Sequence, residues 1–377
     1  MSGLSTPTTA ASAGPPPRFD LRRVLRGQEI GIFLVLVVMI TFFSLSTDRF
    51  FTPINLSNIL LNFSWTAIAA FGMTFVIISG GIDLSVGSVM ALSGLATATL
   101  ISTDKTPFAD PTSVGVIALA VLTGLAVGAT CGLINGALIT FARLPPFIAT
   151  LGMLQIARGI CYGWSQGWPV QRLPAEFMVI GRQNIPIGSF NLPLPTLIML
   201  IIAVLAWLFL TRTKWGYHIF SVGGNEQAAR LSGISVTRSK LLIYTISGLA
   251  AGAGGVLLTA RLGVAAPTAA QGYELDVIAA VVVGGTSLSG GEGSILGTLI
   301  GAAIMGALRT GLNLIGVEAY WLPSAQGAII ILAITLDQWF RLRRGQTTLF
   351  TRFIKRDETP PSKAKRNETS PSEAEAD

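Results

Sequence analysis

The side chains of this 377-residue chain that could do chemistry are few and scattered. The sequence contains no G-x-x-x-x-G-K-[ST] motif, and no glycine is followed by lysine, so the phosphate-binding loop of P-loop ATPases is missing. One histidine, His218, and two cysteines, Cys131 and Cys161, are too few for a histidine-rich metal site or a disulfide framework. We therefore expect no catalytic residue, no metal and no cofactor in this chain.

Ionisable groups within apolar segments are the next candidates, because ion-coupled transporters place such groups inside the membrane. Asp83 lies at a Gly-rich turn, where capping of the following helix is the favoured interpretation. Glu274 and Asp276 lie at the start of a short apolar segment, and Arg309 lies near the end of another. None of these groups has a clear partner at the middle of a helix, which disfavours a proton relay.

The most informative polar residues lie in the loop 212–240, between two apolar segments. Its run Asn225-Glu226-Gln227-Ala228-Ala229-Arg230-Leu231-Ser232-Gly233 predicts a two-turn helix. Asn225 is a good N-cap, Glu226 suits the positive end of the helix dipole, and Gly233 is a natural left-handed stop. Because so short a helix is marginal alone, we favour a docking helix for another subunit, with a solvated connector as the alternative.

Long apolar segments position these residues. The chain is 51% hydrophobic and 12% charged, whereas a soluble domain carries about 25% charged residues. This composition excludes an ordinary soluble enzyme and predicts an all-α, polytopic membrane protein with about ten transmembrane helices, eight to ten being the range. The predicted helices span residues 30–47, 57–79, 85–102, 113–141, 147–164, 195–211, 241–261, 275–285, 294–315 and 321–340.

Basic residues are sorted to one side of these predicted crossings. Nineteen of the 26 Lys and Arg residues fall on one side: four before residue 27, one at 143, five in 212–240 and nine after residue 340. Four lie in loops on the other side. By the positive-inside rule, both termini are predicted to be cytoplasmic. The polar stretches 1–28 and 342–377 are predicted to be disordered tails around a transmembrane domain at 29–341.

Small residues recur within the predicted helices. One helix has a glycine every fourth residue, a small-xxx-small series that clears a face for close approach of a neighbouring helix; these are Gly124, Gly128, Gly132 and Gly136. A Gly-Gly-x-x-Leu-Ser run occurs at 80–85 and again at 284–289. An ancient duplication and convergence on a Gly-rich turn both explain that second pattern.

Four segments together resemble the membrane-spanning permease subunits of bacterial ABC importers for monosaccharides, the ribose-type permeases. They are GGIDLSVGSVMALSG (80–94), RLPPFIATLGML (143–154), GGNEQAARLSGI (223–234) and YELDVIAAVVVGGTSLSGGEGSILGTLIGA (273–302). The resemblance covers roughly residues 30–340. It implies a type II ABC importer-like fold, multi-pass in the bacterial inner membrane.

The resemblance also implies partners. A cytoplasmic ATPase subunit, which binds ATP and Mg, would dock on a coupling helix at 225–233, and a periplasmic sugar-binding protein would deliver the substrate. A second permease subunit, a copy or a paralogue, would complete the pore within the membrane lipid, and no nucleic acid is involved.

Six polar residues are candidates for the translocation path, although each is more often a helix–helix hydrogen bond: Asn62, Ser64, Asn135, Gln155, Arg309 and Asn313. Two alternatives to a monosaccharide importer remain. One is the same architecture importing a branched-chain amino acid, a nucleoside or a signalling sugar. The other is an ion-coupled secondary transporter.

Overall fold

The fold comes from a computed structural model that describes residues 27–188, 190–325, 327, 328, 331 and 335. The tail predicted at 1–28, apart from its last two residues, lies outside this range, as does the tail predicted at 342–377. Most of the last predicted helix, 321–340, also lies outside the described residues.

The described residues are mostly helical, and one short hairpin interrupts the helices. In chain order the elements are α1 (Gly27–Ser46), α2 (Pro53–Ile78), α3 (Val86–Ile101), α4 (Val114–Thr140), α5 (Pro146–Ser165), α6 (Ala175–Arg182), β1 (Asn184–Ile187), β2 (Phe190–Pro193), α7 (Leu194–Arg212), α8 (Lys214–Gly224), α9 (Glu226–Leu231), α10 (Val236–Leu262), α11 (Tyr273–Val283), α12 (Ile295–Leu314) and a 3₁₀ turn (Ala319–Trp321).

The all-α, polytopic fold class is confirmed. Each of the first nine predicted helices is present, with ends within about five residues of those expected. Within the described part of the chain, six helices are long and apolar enough to cross a bilayer: α1, α2, α4, α7, α10 and α12. The other three predicted crossings that are present are α5, α3 and α11, and the last two are shorter, at 16 and 11 residues. The count of about ten crossings therefore stays a prediction.

Local capping explains where several helices begin. The Thr52 hydroxyl accepts the backbone N–H of Asn55 at the start of α2, and Pro53 occupies the first turn, where no intrahelical donor is lost. Ser113 accepts the N–H of Val116 in the same way at the start of α4. These side chains satisfy donors that an apolar surrounding would leave without a partner.

Helix α2 lies at the centre of the bundle. It packs against α7, α10, α11 and α12, and Ile68, Phe71 and Ile78 are among its fully buried side chains. Two hydroxyl pairs accompany this packing: Thr74 on α2 lies 2.7 Å from Thr298 on α12, and Ser64 on α2 lies 3.2 Å from Thr196 on α7. Every residue of α2 from Phe63 to Ile78 except Thr66 is buried, and apolar residues make up most of this stretch.

Three elements are absent from the predicted list: α6, the β1–β2 hairpin and α8. The hairpin pairs Ile187 with Phe190 in an antiparallel register, and it is too short for a visible alternation of polar and apolar residues. Helix α6 is tied to the end of α10, because the Arg182 guanidinium donates to the carbonyls of Arg261 and Leu262 at 2.9 and 2.8 Å.

Candidate functional site

Helix α9 begins and ends as its sequence predicts. The Asn225 side-chain oxygen accepts the N–H of Ala228 at 3.0 Å, which makes Asn225 the N-cap. At the other end Gly233 has a φ of +83°. Its N–H donates to the carbonyl of Arg230 at 3.1 Å, and the N–H of Ile234 donates to the carbonyl of Ala229 at 3.0 Å. This pair of bonds is the Schellman motif, which satisfies the last carbonyls of the helix.

A small apolar contact packs α9 against α8 and α10. Ala229 is buried together with Val222 of α8 and Val236 of α10, and Ile234 packs against the three. Because one side of α9 is covered in this way, the helix is held by tertiary contacts, as a helix of six residues must be.

Charge also ties α9 to α10. The Lys240 ammonium lies 2.7 Å from one Glu226 carboxylate oxygen, and the Arg230 guanidinium lies 3.2 Å from the other. The hydrogen bond from Lys240 is the main reason that the pKa of Glu226 is below its ordinary value, with a smaller effect from Arg230. The carboxylate is therefore ionised at neutral pH and anchors α9 to the first turns of α10.

The opposite side of α9 is open. Leu231 is 90% exposed, and the Arg230 side chain is 67% exposed. Leu231 therefore leaves an apolar surface uncovered beside a charged side chain, on a helix that is capped at both ends. The other predicted residues of this helix, Gln227, Ala228 and Ser232, lie on the same two turns.

The glycine series of α4 faces α10. A Cβ atom added at Gly128 would lie 2.9 Å from the Cα of Gly252, and one added at Gly136 would lie 3.0 Å from the Cα of Leu241. At Gly132 the added atom would overlap the Tyr244 carbonyl oxygen. The two backbones therefore touch without side chains between them, as small-xxx-small helix pairs do. At Gly124 the contact differs: an added Cβ atom would overlap the Thr97 hydroxyl of α3 and lie 2.8 Å from the Val256 side chain of α10.

The structure does not gather the six path candidates into one lining. Ser64 is buried; its hydroxyl donates to the Leu60 carbonyl at 2.6 Å and lies 3.2 Å from the Thr196 hydroxyl. Asn135 is buried as well and donates to the Ser85 hydroxyl at 3.0 Å. Both side chains serve helix–helix contacts here. Three candidates are exposed on separate helices: Asn62, Gln155 and Asn313.

Arg309, the sixth candidate, lies in an ion pair. Its guanidinium is 2.8 Å from the Asp276 carboxylate, and the Tyr273 ring centroid is 5.8 Å from the guanidinium carbon. The Arg309 side chain is 39% exposed and that of Asp276 is 13% exposed. A planar cation, a carboxylate and an aromatic face therefore lie together between α11 and α12.

Asp83 is part of a buried polar cluster that joins a local turn to a distant helix. Its carboxylate accepts three hydrogen bonds, from the N–H of Ser85 at 3.0 Å, the Ser85 hydroxyl at 2.6 Å and the Ser247 hydroxyl at 3.0 Å. The predicted capping role needs correction, because Ser85 is the N-cap residue of α3 and makes no side-chain capping bond. Asp83 instead holds Ser85 and links the start of α3 to α10.

Comparison with known proteins identifies the family. The family described as branched-chain amino acid transport system / permease component matches residues 55–334. The ribose import permease of Bacillus subtilis (strain 168) is 42% identical over 314 residues, which cover 82% of this chain and 93% of that protein. The ribose import permease of Escherichia coli (strain K12) is 43% identical over 310 residues, or 81% and 92% of the two chains.

A third relative is named for a different sugar, fructose. The fructose import permease of Rhizobium meliloti is 37% identical over 327 residues, which cover 85% of this chain and 88% of that protein. No solved structure matches this chain. The family match begins inside α2 and extends beyond α12, so it includes α9 and the glycine-packed α4–α10 pair. This chain therefore belongs to the family of transport-system permease components.

Proposed function

We propose that the protein is the membrane-spanning permease subunit of an ATP-driven importer of a monosaccharide, with a ribose-like pentose as the first candidate. The relatives named as ribose and fructose import permeases support the sugar, since they align over more than four fifths of this chain. This chain itself carries no P-loop. ATP and Mg therefore belong to a partner ATPase subunit.

The observation that carries the proposal is α9. It is capped at both ends, it is anchored through Glu226 and Lys240, and it presents an exposed Leu231. We propose that this helix is the coupling helix, on which the cytoplasmic ATPase subunit docks. The sorting of basic residues to one side of the predicted crossings supports a cytoplasmic location for this loop and both termini.

The proposed mechanism is mechanical. Binding of ATP closes the ATPase subunits, α9 moves with them, and the helices rock between outward-facing and inward-facing arrangements. A periplasmic binding protein supplies the sugar on the other side. A second permease subunit, either a copy or a paralogue, forms the other half of the pore.

We propose a weak sugar contact only for path candidates whose side chains are free to reach a solute. Ser64 and Asn135 are buried in helix–helix hydrogen bonds, which argues against a sugar contact at either. Arg309 is the better candidate, because its side chain is 39% exposed and a guanidinium that pairs with Asp276 still has further N–H donors for a sugar hydroxyl. We keep Asn62, Gln155 and Asn313 as further candidates.

Co-purification with the ATPase subunit tests the assignment of α9 as the coupling helix. The chain is expressed with its cognate ATPase subunit, and co-purification is compared for the wild type, Leu231→Ala and the control Leu262→Ala. Leu262 is also exposed, at 51%, but lies at the far end of α10. We expect Leu231→Ala to weaken binding about tenfold, as loss of an apolar anchor does, and Leu262→Ala to bind normally. Equal retention of the ATPase subunit by both variants would contradict the assignment.

Uptake into proteoliposomes tests the class of transporter. We expect sugar uptake only when ATP, the ATPase subunit and the loaded binding protein are all present. Uptake driven by an ion gradient without the ATPase subunit would replace the proposal with a secondary transporter.

The family description names branched-chain amino acids, which keeps an amino acid as the second candidate cargo. A thermal-shift screen of the cognate binding protein with pentoses, hexoses, nucleosides and branched-chain amino acids separates these cargoes. Stabilisation by a pentose alone is the expected result.

A further inference from the structure

Three segments far apart in the chain meet through their backbones beside α9. They are the end of α2 (Ile78 and Gly80), the end of α8 (Gly223 and Gly224) and the turn before α12 (Gly290 and Gly291); we call this meeting point the glycine joint. The Gly291 N–H donates to the Ile78 carbonyl at 2.8 Å. A Cβ atom added at Gly290 would lie 2.8 Å from the Gly223 oxygen and 3.1 Å from the Gly80 Cα.

Gly223 is the tightest member of the joint. A Cβ atom at this position would overlap the Ile78 carbonyl oxygen and lie 2.7 Å from the Gly291 nitrogen. Both neighbours are backbone atoms, so no side-chain rotation could relieve the overlap. Gly224, the next residue, has nothing within 4 Å of an added Cβ. The need for glycine is therefore specific to position 223, although both residues lie at the end of the same helix.

The joint is directly connected to α9. Gly224 precedes Asn225, and the Asn225 N–H donates back to the Ser221 carbonyl at 3.1 Å while its side chain caps α9. Asn225 is thus the single residue between α8 and α9, and it is hydrogen-bonded to both helices. No flexible linker lies between α9 and Gly223, so a displacement of α9 moves Gly223 directly.

The other two segments lead into the centre of the bundle. Ile78 is the last residue of α2, the buried central helix, and the turn that contains Gly291 leads into α12 at Ile295. Helices α2 and α12 also pack against each other. Contact between backbones is stiffer than contact between long side chains, because it has no rotamers to absorb a shift.

We propose that Gly223 is a positioning residue for transport, which holds the glycine joint closed so that displacement of α9 is passed to α2 and α12 as one unit. This inference rests on the proposed function, since it takes α9 to be the coupling helix. It assigns a role to Gly80 of the first Gly-Gly-x-x-Leu-Ser run and to Gly290 and Gly291, which directly follow the second run: they bring the end of α2 and the turn before α12 against the end of α8.

The test compares Gly223→Ala with Gly224→Ala in the assembled transporter. For Gly223→Ala we expect the ATPase subunit to co-purify as with the wild type, because α9 and its exposed Leu231 are intact. We expect its sugar uptake, and the stimulation of ATP hydrolysis by the loaded binding protein, to fall about tenfold or more, because overpacked backbones must separate. Gly224→Ala should stay within about twofold of the wild type on both readouts.

The possible results separate the inference from the proposed function. Normal uptake and stimulation in Gly223→Ala would overturn the joint while leaving the permease assignment intact. Failure of the wild-type chain to retain the ATPase subunit would overturn both, since α9 would then have no source of movement. Loss of transport in both variants to the same degree would also overturn the joint, because it would mean that only a glycine-rich helix end is needed.

Hydrogen exchange on the wild-type complex covers the case in which Gly223→Ala does not fold. The Gly291 N–H is bonded to Ile78 in the joint, so the segment 286–293 should exchange slowly both with and without nucleotide. Exchange of that segment at the rate of an exposed turn, in either state, would show that the joint opens and would overturn the inference.

Discussion

The contact between α4 and α10 yields a graded prediction of stability. In Gly132→Ala the new methyl group would overlap the Tyr244 carbonyl oxygen, a backbone atom, so the two helices must move apart. Overpacking of this kind costs about 1–3 kcal/mol, and alanine returns about 0.5–1 kcal/mol through its helix propensity. Because the overlap is with a backbone atom, the cost should lie in the upper half of that range, so we expect a net loss of about 1–2.5 kcal/mol in the free energy of unfolding.

Two other glycines of α4 serve as comparisons for the predicted loss of stability in Gly132→Ala. In Gly136→Ala the nearest atom, the Leu241 Cα, lies 3.0 Å from the new methyl group, so a shift of a few tenths of an ångström is enough. The cost of overpacking and the gain in helix propensity should then nearly cancel. Gly115→Ala has nothing within 4 Å and should be neutral or stabilise the protein by up to about 1 kcal/mol.

Unfolding of the purified variants in mixed micelles, titrated with SDS and followed by circular dichroism, measures the three free energies. The expected order of stability is Gly115→Ala, then Gly136→Ala, then Gly132→Ala, with the wild type near the middle variant. If Gly132→Ala proved as stable as Gly115→Ala, the close approach of α4 and α10 would be refuted.

Three further predictions concern α9 and the Asp83 cluster. Gly233→Ala forces a side chain into the left-handed conformation at φ +83°; it should destabilise the end of α9 by about 1 kcal/mol and reduce co-purification of the ATPase subunit, whereas Gly233→Asn should largely retain it. Because the Lys240 hydrogen bond lowers the pKa of Glu226, the pair stabilises α9 above the ordinary glutamate value of 4.5, and this contribution is lost as the pH falls through the lowered pKa. Hydrogen exchange of α9, corrected for intrinsic rates, should then differ between the wild type and Glu226→Gln at pH 7 and converge at low pH; a constant difference would contradict the pairing. Ser247→Ala removes one of three donors to the buried Asp83 carboxylate and should lower the unfolding free energy by about 1–3 kcal/mol, and an unchanged value would mean that this hydrogen bond contributes nothing.

Local signals are sufficient for the long helices and for α9. The helices follow from apolar runs between polar loops, because backbone groups in an apolar surrounding must be satisfied within their own segment. The helix at 226–231 could be predicted from Asn225 and Gly233 alone, since N-caps and left-handed stops act within one turn. The β1–β2 hairpin and α6 were missed because segments of four and eight residues carry too little periodicity to stand out.

Candidate path residues show where local reasoning fails. Polarity within an apolar helix identified Ser64, Asn135 and Arg309, but it could not distinguish a contact with solute from a contact between helices. The structure pairs Ser64 with Thr196, 132 residues away, and Arg309 with Asp276. A polar side chain in an apolar surrounding takes whichever partner the packing brings to it.

The sequence by itself determined that this protein crosses the membrane many times and that a capped helix interrupts the loop 212–240, and it predicts that the basic residues lie on the cytoplasmic side. All three depend on residues close together in the chain. Only the tertiary structure decided that Gly223 lies against Ile78 and Gly291, and that Asp83 is linked to Ser247. Glycines and short polar side chains in a sequence indicate that another segment packs closely against them. Which segment it is depends on how whole helices pack against one another, and no local pattern encodes that.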